Sequence, residues 1–242
     1  MKRILLSDAH LTGRDDPNQA LLAAFLEQVE ADEVYFLGDM FHFWWGHEGY
    51  RDPDYGLFFE AIETLINRDC KVFWVRGNHD FHLGPVIEKE LGVVVGDAFE
   101  VEFQSQRGLL VHGDEADRTL GYRAVRAVVR GRAFAGLMNA LGPSRSRRVG
   151  LALAGASRHE MTPNAPLLKA QANWAEERFE EGHRFVVLGH SHCPGIHRLN
   201  GGTLVNLGDF ADAHSYLELD ESLRLCRWKS GESHTIQEER VL

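Results

Sequence analysis

The chain has 242 residues, of which 44% are hydrophobic and 26% charged, as in ordinary soluble globular proteins. This length suits one large α/β domain, or one domain with an insertion, and a core that needs no disulfides. The net charge of −10 argues against a general nucleic-acid binder, because such proteins depend on neutralising phosphates. The three cysteines form no paired spacing, which indicates a reducing compartment.

The amino terminus does not resemble a targeting signal, since only Ile4, Leu5 and Leu6 precede the polar Ser7 and Asp8. No apolar run approaches the ~18 residues needed to span a bilayer. We therefore expect a cytoplasmic protein whose contact with a membrane is peripheral.

The first half of the chain alternates short apolar strands with amphipathic helices. The predicted elements, in order, are a strand at 2–6, a helix at 18–29, a strand at 34–37, a helix at 55–67 and a strand at 72–75. This alternation predicts βαβ units around a central sheet. Strands without helices follow from Val93 to Val111.

The second half begins with a stretch that is predicted to be helical, at about residues 118–181. The sheet resumes at Phe185 to Leu188 and continues as short strands to about Trp228. The polar tail from Ser230 to Leu242 is predicted to be disordered or loosely attached. The expected fold is a single α/β domain over residues 1–242, with a layered β-sandwich core, flanking helices and a helical insertion that forms a lid.

Polar clusters follow five of the predicted strands. They are Ser7-Asp8-Ala9-His10-Leu11, Gly38-Asp39, Gly77-Asn78-His79-Asp80, His112-Gly113-Asp114 and Gly189-His190-Ser191-His192. Open α/β sheets place their sites at the carboxyl ends of strands. Asp8 and His10 are two apart, so an extended backbone would point both to the same side. Two Asp, one Asn and four His are about what two metal ions that share a carboxylate require.

Taken together, the five clusters resemble the complete signature of the calcineurin-like metallophosphoesterases. The resemblance implies two divalent metal ions with Asp39 as the bridging ligand. One ion would be held by Asp8, His10, Asp39 and His192, and the other by Asp39, Asn78, His112 and His190. Manganese is the expected metal, and iron, zinc and cobalt also suit these ligands.

The resemblance also places His79 and Asp80 in the catalytic site. His79 would face the leaving oxygen as a general acid, or would stabilise developing charge, while Asp80 orients its ring. The alternative for His79 is a supporting hydrogen bond away from the reacting atoms. His42 and His47, in the aromatic loop after Asp39, are further candidates to line the site.

More narrowly, the layout resembles the UDP-2,3-diacylglucosamine diphosphatases of lipid A biosynthesis, with aromatic residues after Gly38-Asp39 and an insertion between the His112 and His190 clusters. The resemblance implies cleavage of the pyrophosphate of a diacylated UDP-sugar to UMP and lipid X at the inner membrane. Its substrate-binding candidates are Asn78, Asp117, Tyr122, Arg123, Asn164 and Lys169. The chain departs from members of that group at His79 and Cys193, where they have arginine.

The insertion has an unusual charge. From Arg118 to Arg158 there are nine arginines and no Asp, Glu or Lys, which leaves a net charge of −19 for the rest of the chain. Apolar residues recur at helical spacing between these arginines, namely Tyr122, Val125, Val128, Val129, Phe134, Leu137, Met138 and Leu141. Such a segment favours a lid that docks on an anionic membrane and receives acyl chains. The alternative is a set of helices packed on the sheet with a solvated arginine face.

Two other functions stay open at the level of sequence. One is a soluble metallophosphoesterase that acts on nucleotides, other phosphodiesters or phosphoproteins. The other is a non-catalytic scaffold, although such a protein should have lost ligands, and all seven are present here. The expected partners are the lipid-linked substrate and an anionic membrane surface, with no nucleic acid, and the sequence indicates no protein partner.

Overall fold

The computed structural model describes residues 1–157 and 165–239. Its strands are β1 Arg3–Leu6, β2 Glu33–Phe36, β3 Lys71–Val75, β4 Val94–Gly96, β5 Ala98–Phe103, β6 Gln106–Val111, β7 Phe185–Leu188, β8 Gly195–Leu199, β9 Gly202–Asn206, β10 Ser215–Leu219, β11 Leu223–Lys229 and β12 Glu232–Glu239. Its α-helices are α1 Pro17–Gln28, α2 Gly56–Asn67, α3 Leu120–Val129, α4 Arg132–Leu141, α5 Pro143–Ser157 and α6 Ala165–Glu180. The predicted α/β class and the order of elements are confirmed.

The strands form two sheets that share one apolar interior. The first has seven strands in the order β12-β11-β10-β1-β2-β3-β4, and the second has five in the order β5-β6-β7-β9-β8. Strands β1 to β4 are parallel to one another in the first sheet, as β6, β7 and β9 are in the second. The outer strands pair antiparallel, β10 with β1, β5 with β6 and β8 with β9. Leu5, Leu37 and Val75 from the first sheet pack with Leu110 and Val187 from the second.

Helices cover the outer faces of both sheets. On the first sheet, α1 and α2 bury Phe25 and Phe58 in one core with Trp74 of β3. On the second sheet, α6 buries Trp174 and Phe179 against β7 and β9. The layers are therefore helix, sheet, sheet, helix, which is the predicted sandwich. None of the helices within the described residues is long and apolar enough to cross a membrane.

The insertion that was predicted to be helical contains α3 to α6 within the described residues, and these helices do not pack alike. Whereas α6 lies on the second sheet, α3, α4 and α5 form a separate unit, which we call the lid. Met138 and Ala154 of the lid pack against Phe43 and Trp45, in the loop that follows β2. Residues 158–164, which include Arg158 and the predicted substrate-binding residue Asn164, lie outside the described part of the chain.

Polar contacts also hold the lid to the loop after β2. Trp45 Nε1 donates to Asn139 Oδ1 at 2.8 Å, and His47 Nε2 lies 2.7 Å from Ser146 Oγ. His47, which was a candidate to line the site, therefore serves in the contact between the loop and the lid.

The carboxy-terminal tail is ordered through residue 239, so the prediction of a loose tail is wrong there. Ser230 and Gly231 have φ values of 55° and 80°, which suit the tight two-residue turn between β11 and β12. Strand β12 then pairs along the whole of β11. A polar strand is stable at this edge because main-chain hydrogen bonds, rather than buried side chains, hold it.

Candidate metal centre and active site

The predicted ligands come from both sheets and meet at the carboxyl ends of their parallel strands. Asp8 and His10 follow β1, Asp39 follows β2 and Asn78 follows β3 in the first sheet. His112 follows β6, and His190 and His192 follow β7 in the second sheet. Each sheet therefore supplies part of the site, and the packing of the two sheets brings the parts together.

Several of these ligands have a left-handed backbone. The φ values are 55° at Asp8, 45° at His10, 55° at Asp39, 65° at His190 and 54° at His192. The expectation that an extended backbone aligns Asp8 with His10 is therefore wrong. Residues other than glycine adopt this conformation at a cost of roughly 1–3 kcal/mol each, and such strain is concentrated at functional sites. The strain turns the side chains sharply into the crevice where the strands end.

One metal-binding group consists of Asp8, His10 and His192, whose ligand atoms all lie within 4.8 Å of one another. His192 Nε2 is 3.3 Å and His10 Nε2 is 3.7 Å from Asp8 Oδ1. The two imidazole nitrogens are 3.2 Å apart. These three residues match the first predicted ligand set.

The second group consists of Asp39, His112 and His190, again within 4.8 Å. His112 Nε2 lies 3.4 Å from Asp39 Oδ2 and 3.0 Å from Asn78 Oδ1. Asp39 is also joined to the first group, because the His10 amide donates to the Asp39 carbonyl oxygen at 3.0 Å. Asp39 therefore lies between the groups, as a bridging ligand must.

Residues in the first group fit a bound cation. Among the described residues, Asp8 Oδ1, which Nε2 of His10 and of His192 approach, is a buried polar atom without a hydrogen-bond partner. Buried polar atoms normally have partners, and groups left without one commonly mark an ion or a water. A cation would also satisfy the facing nitrogens of His10 and His192. The donors are carboxylate, imidazole and amide oxygen, which suit manganese, iron, zinc or cobalt.

The electrostatics of the centre favour positive charge. Burial alone would lower the pKa of His112, but the charge of Asp39 raises it well above its ordinary value. Burial would also lower the pKa of His192, but the charge of Asp8 outweighs burial and raises that pKa to about 9. Burial, followed by the charge of His112, lowers the pKa of His190 to about 4. Burial would raise the pKa values of Asp8 and Asp39, but the neighbouring histidines hold both pKa values below their usual range.

His79 lies beside both groups and is held by the main chain. Its Nδ1 is 2.7 Å from the carbonyl oxygen of His42, and its amide donates to Asp39 Oδ1 at 2.8 Å. Its Nε2 is 3.9 Å from Asp39 Oδ2, and its ring centroid is 5.0 Å from that of His10. The carbonyl oxygen therefore orients the ring with Nε2 towards the metal centre.

Asp80 does not have the role predicted for it. Its Oδ1 accepts from the amides of Asp39 and Gly77 at 3.0 and 2.9 Å, and its Oδ2 accepts from the amide of Met40 at 2.9 Å. Burial, followed by the charge of Asp39, raises its pKa to about 6. Asp80 thus ties the loop after β2 to the loop after β3, and thereby positions Asp39.

Residues of the lid lie beside the second metal-binding group, where they contact Asp114 and the loop after β3. The Tyr122 hydroxyl donates to Asp114 Oδ2 at 2.9 Å, and the Tyr122 ring centroid is 6.1 Å from that of His190. Arg126 Nε also lies 2.9 Å from Asp114 Oδ2. Arg130 Nη2 is 3.4 Å from the carbonyl oxygen of Gly77. The polar side of α3 therefore faces the centre.

The remaining substrate-binding candidates are less close to the ligands. Asp117 Oδ1 accepts from the amide of Thr119 at 2.9 Å, so its side chain caps the start of α3. Arg123 lies on the exposed side of α3, and Lys169 is exposed on α6. Of the predicted set within the described residues, Asn78 and Tyr122 are the two that the fold brings to the metal ligands.

The structure places His42, a candidate from the sequence, at the site, and it adds Asp209, which the sequence analysis missed. His42 is buried, its ring stacks on that of His79 with centroids 5.6 Å apart, and with His10 these residues form a third group that could hold a metal. Asp209 Oδ2 lies 3.9 Å from His192 Nδ1, which is too far for a hydrogen bond but places a buried carboxylate beside this ring. Its signal was present, because Gly208-Asp209 follows β9 as Gly38-Asp39 follows β2.

Three comparisons with known proteins show what the chain is similar to. UDP-2,3-diacylglucosamine hydrolase of Aeromonas hydrophila is 28% identical over 227 residues, which cover 90% of this chain and 94% of that protein. The enzyme of the same name from Pseudomonas fluorescens is also 28% identical, covering 90% and 91%. Among solved structures, Yfce, a phosphoesterase from E. coli, superposes with a TM-score of 0.51 at 18% identity, covering 100% of both chains.

The family model described as calcineurin-like phosphoesterase matches residues 1–194, a span that contains every predicted metal ligand. The structural likeness at 18% identity shows the fold alone. The curated relatives are hydrolases by name. The chain therefore belongs to the calcineurin-like phosphoesterase family and is a phosphoester hydrolase that uses divalent metal ions.

Proposed function

We propose that this protein hydrolyses the pyrophosphate bond of UDP-2,3-diacylglucosamine, releasing UMP and lipid X in lipid A biosynthesis. The observation that carries the proposal is the orientation of α3 above the metal centre. Its polar side faces the metal ligands, while Leu120, Val125 and Val128 on its other side are 83%, 61% and 66% exposed. A substrate with a charged diphosphate and two acyl chains needs both kinds of surface. The names of the full-length relatives point to the same substrate.

The metal centre supplies the hydrolytic chemistry. Two divalent ions, which we take to be manganese, would polarise phosphoryl oxygens and lower the pKa of water here. Asp8, His10, Asp39 and His192 would hold one ion, and Asp39, Asn78, His112 and His190 the other. His79 directs Nε2 to this centre, where it would protonate the leaving oxygen or stabilise its charge.

An apolar cluster beneath the lid is suited to the acyl chains. Phe43 and Trp45 from the loop after β2 pack with Met138 and Ala154 of the lid, and Phe134 borders them. The cluster joins the lid to the loop that begins at Asp39, which holds this apolar surface close to the metal ligands. Two long acyl chains would bury far more apolar surface than a nucleotide alone.

The outer surface of the lid suits peripheral attachment to the cytoplasmic face of the inner membrane. Val125, Val128 and Leu137 are each more than half exposed on successive helices of the lid. Arg123 and Arg132 are exposed near them. Exposed apolar side chains among arginines favour an anionic membrane interface, where each basic residue contributes on the order of 1 kcal/mol.

A direct assay tests the substrate. Purified protein with manganese would be given UDP-2,3-diacylglucosamine, UDP-N-acetylglucosamine and bis(p-nitrophenyl) phosphate in parallel, with release of UMP or p-nitrophenol as the readout. We expect kcat/KM to be highest for the diacylated substrate by at least about 100-fold, because only that compound can use the apolar cluster. Hydrolysis of the water-soluble esters without hydrolysis of the diacylated compound would identify a soluble phosphodiesterase instead.

A further inference from the structure

The two inward-facing arginines of α3 are held in different ways. Arg126 Nε lies 2.9 Å from Asp114 Oδ2, and its Nη2 donates to Glu115 Oε1 at 3.1 Å. Arg126 is therefore paired with two carboxylates. Arg130 is 3.8 Å from Asp114 Oδ2, and its closer contact is the neutral carbonyl oxygen of Gly77 at 3.4 Å.

The Asp114 carboxylate is engaged mainly by residues other than Arg130. It is fully buried, and its Oδ2 already accepts from the Tyr122 hydroxyl at 2.9 Å and contacts Arg126. Of the two guanidinium groups, that of Arg130 is less compensated by neighbouring carboxylates. It is also 26% exposed, so it can reach a ligand in the crevice.

Arg130 stands at the edge of the second metal-binding group. Its partner Gly77 immediately precedes Asn78, whose Oδ1 lies 3.0 Å from His112 Nε2. A ligand whose phosphoryl group is bound by that group would place an adjacent anionic group near this guanidinium. Guanidinium groups bind phosphate oxygens through paired, charge-assisted hydrogen bonds.

We propose that Arg130 binds the second phosphoryl group of a diphosphate substrate, next to the phosphoryl group that is held at the metal centre. This inference rests on the proposed function and deepens it by naming the residue that selects diphosphates over esters with a single phosphate. Arg126, Tyr122 and Asp114 position α3 so that Arg130 reaches the crevice. Arg123, one turn before Arg126 and exposed, does not take part.

The test compares Arg130→Gln with the wild type on the diacylated UDP-sugar and on bis(p-nitrophenyl) phosphate. We expect kcat/KM for the diphosphate to fall about 10- to 100-fold, mainly through KM, because one charge-assisted hydrogen-bond pair is lost. The rate on the single-phosphate diester should change less than about threefold, and Arg130→Lys should recover part of the loss, since it keeps the charge without the planar fork. Arg148→Gln, an exposed arginine of α5, is the matched control.

A binding measurement separates this inference from the proposed function. The manganese-loaded wild type and Arg130→Gln would be titrated calorimetrically with inorganic pyrophosphate and, separately, with orthophosphate. We expect affinity for pyrophosphate to fall about tenfold or more in the variant while affinity for orthophosphate is unchanged. Equal pyrophosphate affinity in both proteins overturns the inference. Equal loss for both anions also overturns it, because Arg130 would then support the metal centre through Gly77.

The pyrophosphate titration does not depend on the lipid substrate. If the wild type fails to hydrolyse UDP-2,3-diacylglucosamine and Arg130→Gln still loses pyrophosphate affinity selectively, the proposed substrate is wrong and the diphosphate-binding role of Arg130 stands. Thermal unfolding of each variant checks that the fold is intact.

Discussion

Gly77→Ala tests how closely the loops after β2 and β3 must approach to form the metal centre. A Cβ atom at Gly77 would lie 2.1 Å from Asp39 Oδ1, 2.5 Å from the Asp39 amide nitrogen and 2.8 Å from Asp80 Oδ1. Ordinary contacts begin near 3.4 Å, so Asp39 or the backbone of Gly77 must move by more than 1 Å. A displacement of this size at a reacting centre costs on the order of 100-fold in rate. Overpacking of such a contact also destabilises the fold by about 1–3 kcal/mol.

The matched control is Gly56→Ala, at the first residue of α2. A Cβ there meets nothing within 4 Å, and its φ of −54° is helical, so the substitution should raise stability by about 0.4–1 kcal/mol. Hydrolysis of bis(p-nitrophenyl) phosphate, metal content by mass spectrometry and urea unfolding would be measured for both variants. If Gly77→Ala kept more than a tenth of the wild-type kcat with two metal ions bound, the proximity argument would be refuted.

The remaining predictions use the same assays. Asp39→Asn should lower kcat about 10²–10³-fold and reduce the bound metal, because it removes charge between the two groups; full metal content with normal turnover would contradict its bridging position. His79→Ala should lower kcat about 10²–10⁴-fold with both metal ions retained, as for loss of a general acid, and a parallel loss of metal would instead make it a support for the ligands. The double change Val125→Asp and Val128→Asp should reduce sedimentation with anionic vesicles at least about tenfold, while Ile236→Asp on β12 should not; equal binding by the two proteins would exclude the lid as the membrane contact.

Much of the site could be predicted from sequence because its ligands follow strands. An apolar run that ends in a polar cluster is a local signal, and the carboxyl ends of parallel strands in a sheet lie at one edge. Asp8, Asp39 and Asn78 were found in this way on β1, β2 and β3. His112 and His190 follow the same rule in the second sheet. The residue types follow from coordination chemistry, since two cations that share a bridging carboxylate need several carboxylate and imidazole ligands.

The roles of individual residues next to these ligands depended on tertiary contacts. Asp80 was predicted to orient His79, yet both of its oxygens accept main-chain amides from two loops. Asp117 caps α3. The sequence around Asp80 could not show whether its carboxylate accepts main-chain amides or orients His79. The amides that it binds include that of Asp39, about 40 residues away in another loop.

The lid shows that a helical pattern in sequence does not predict which side of a helix faces inward. Helical spacing predicted an apolar side and an arginine side for α3, and the fold decided which of them faces inward. The buried carboxylate of Asp114 draws Arg126 and Tyr122 towards the metal centre, which leaves Val125 and Val128 exposed. The order of the strands along the chain, the candidate metal ligands and the helical insertion could be predicted from sequence, because each has a local pattern. The left-handed backbones of the ligands, the pairing of β12 with β11 and the inward side of α3 could not, because they depend on partners that are distant in sequence or on packing.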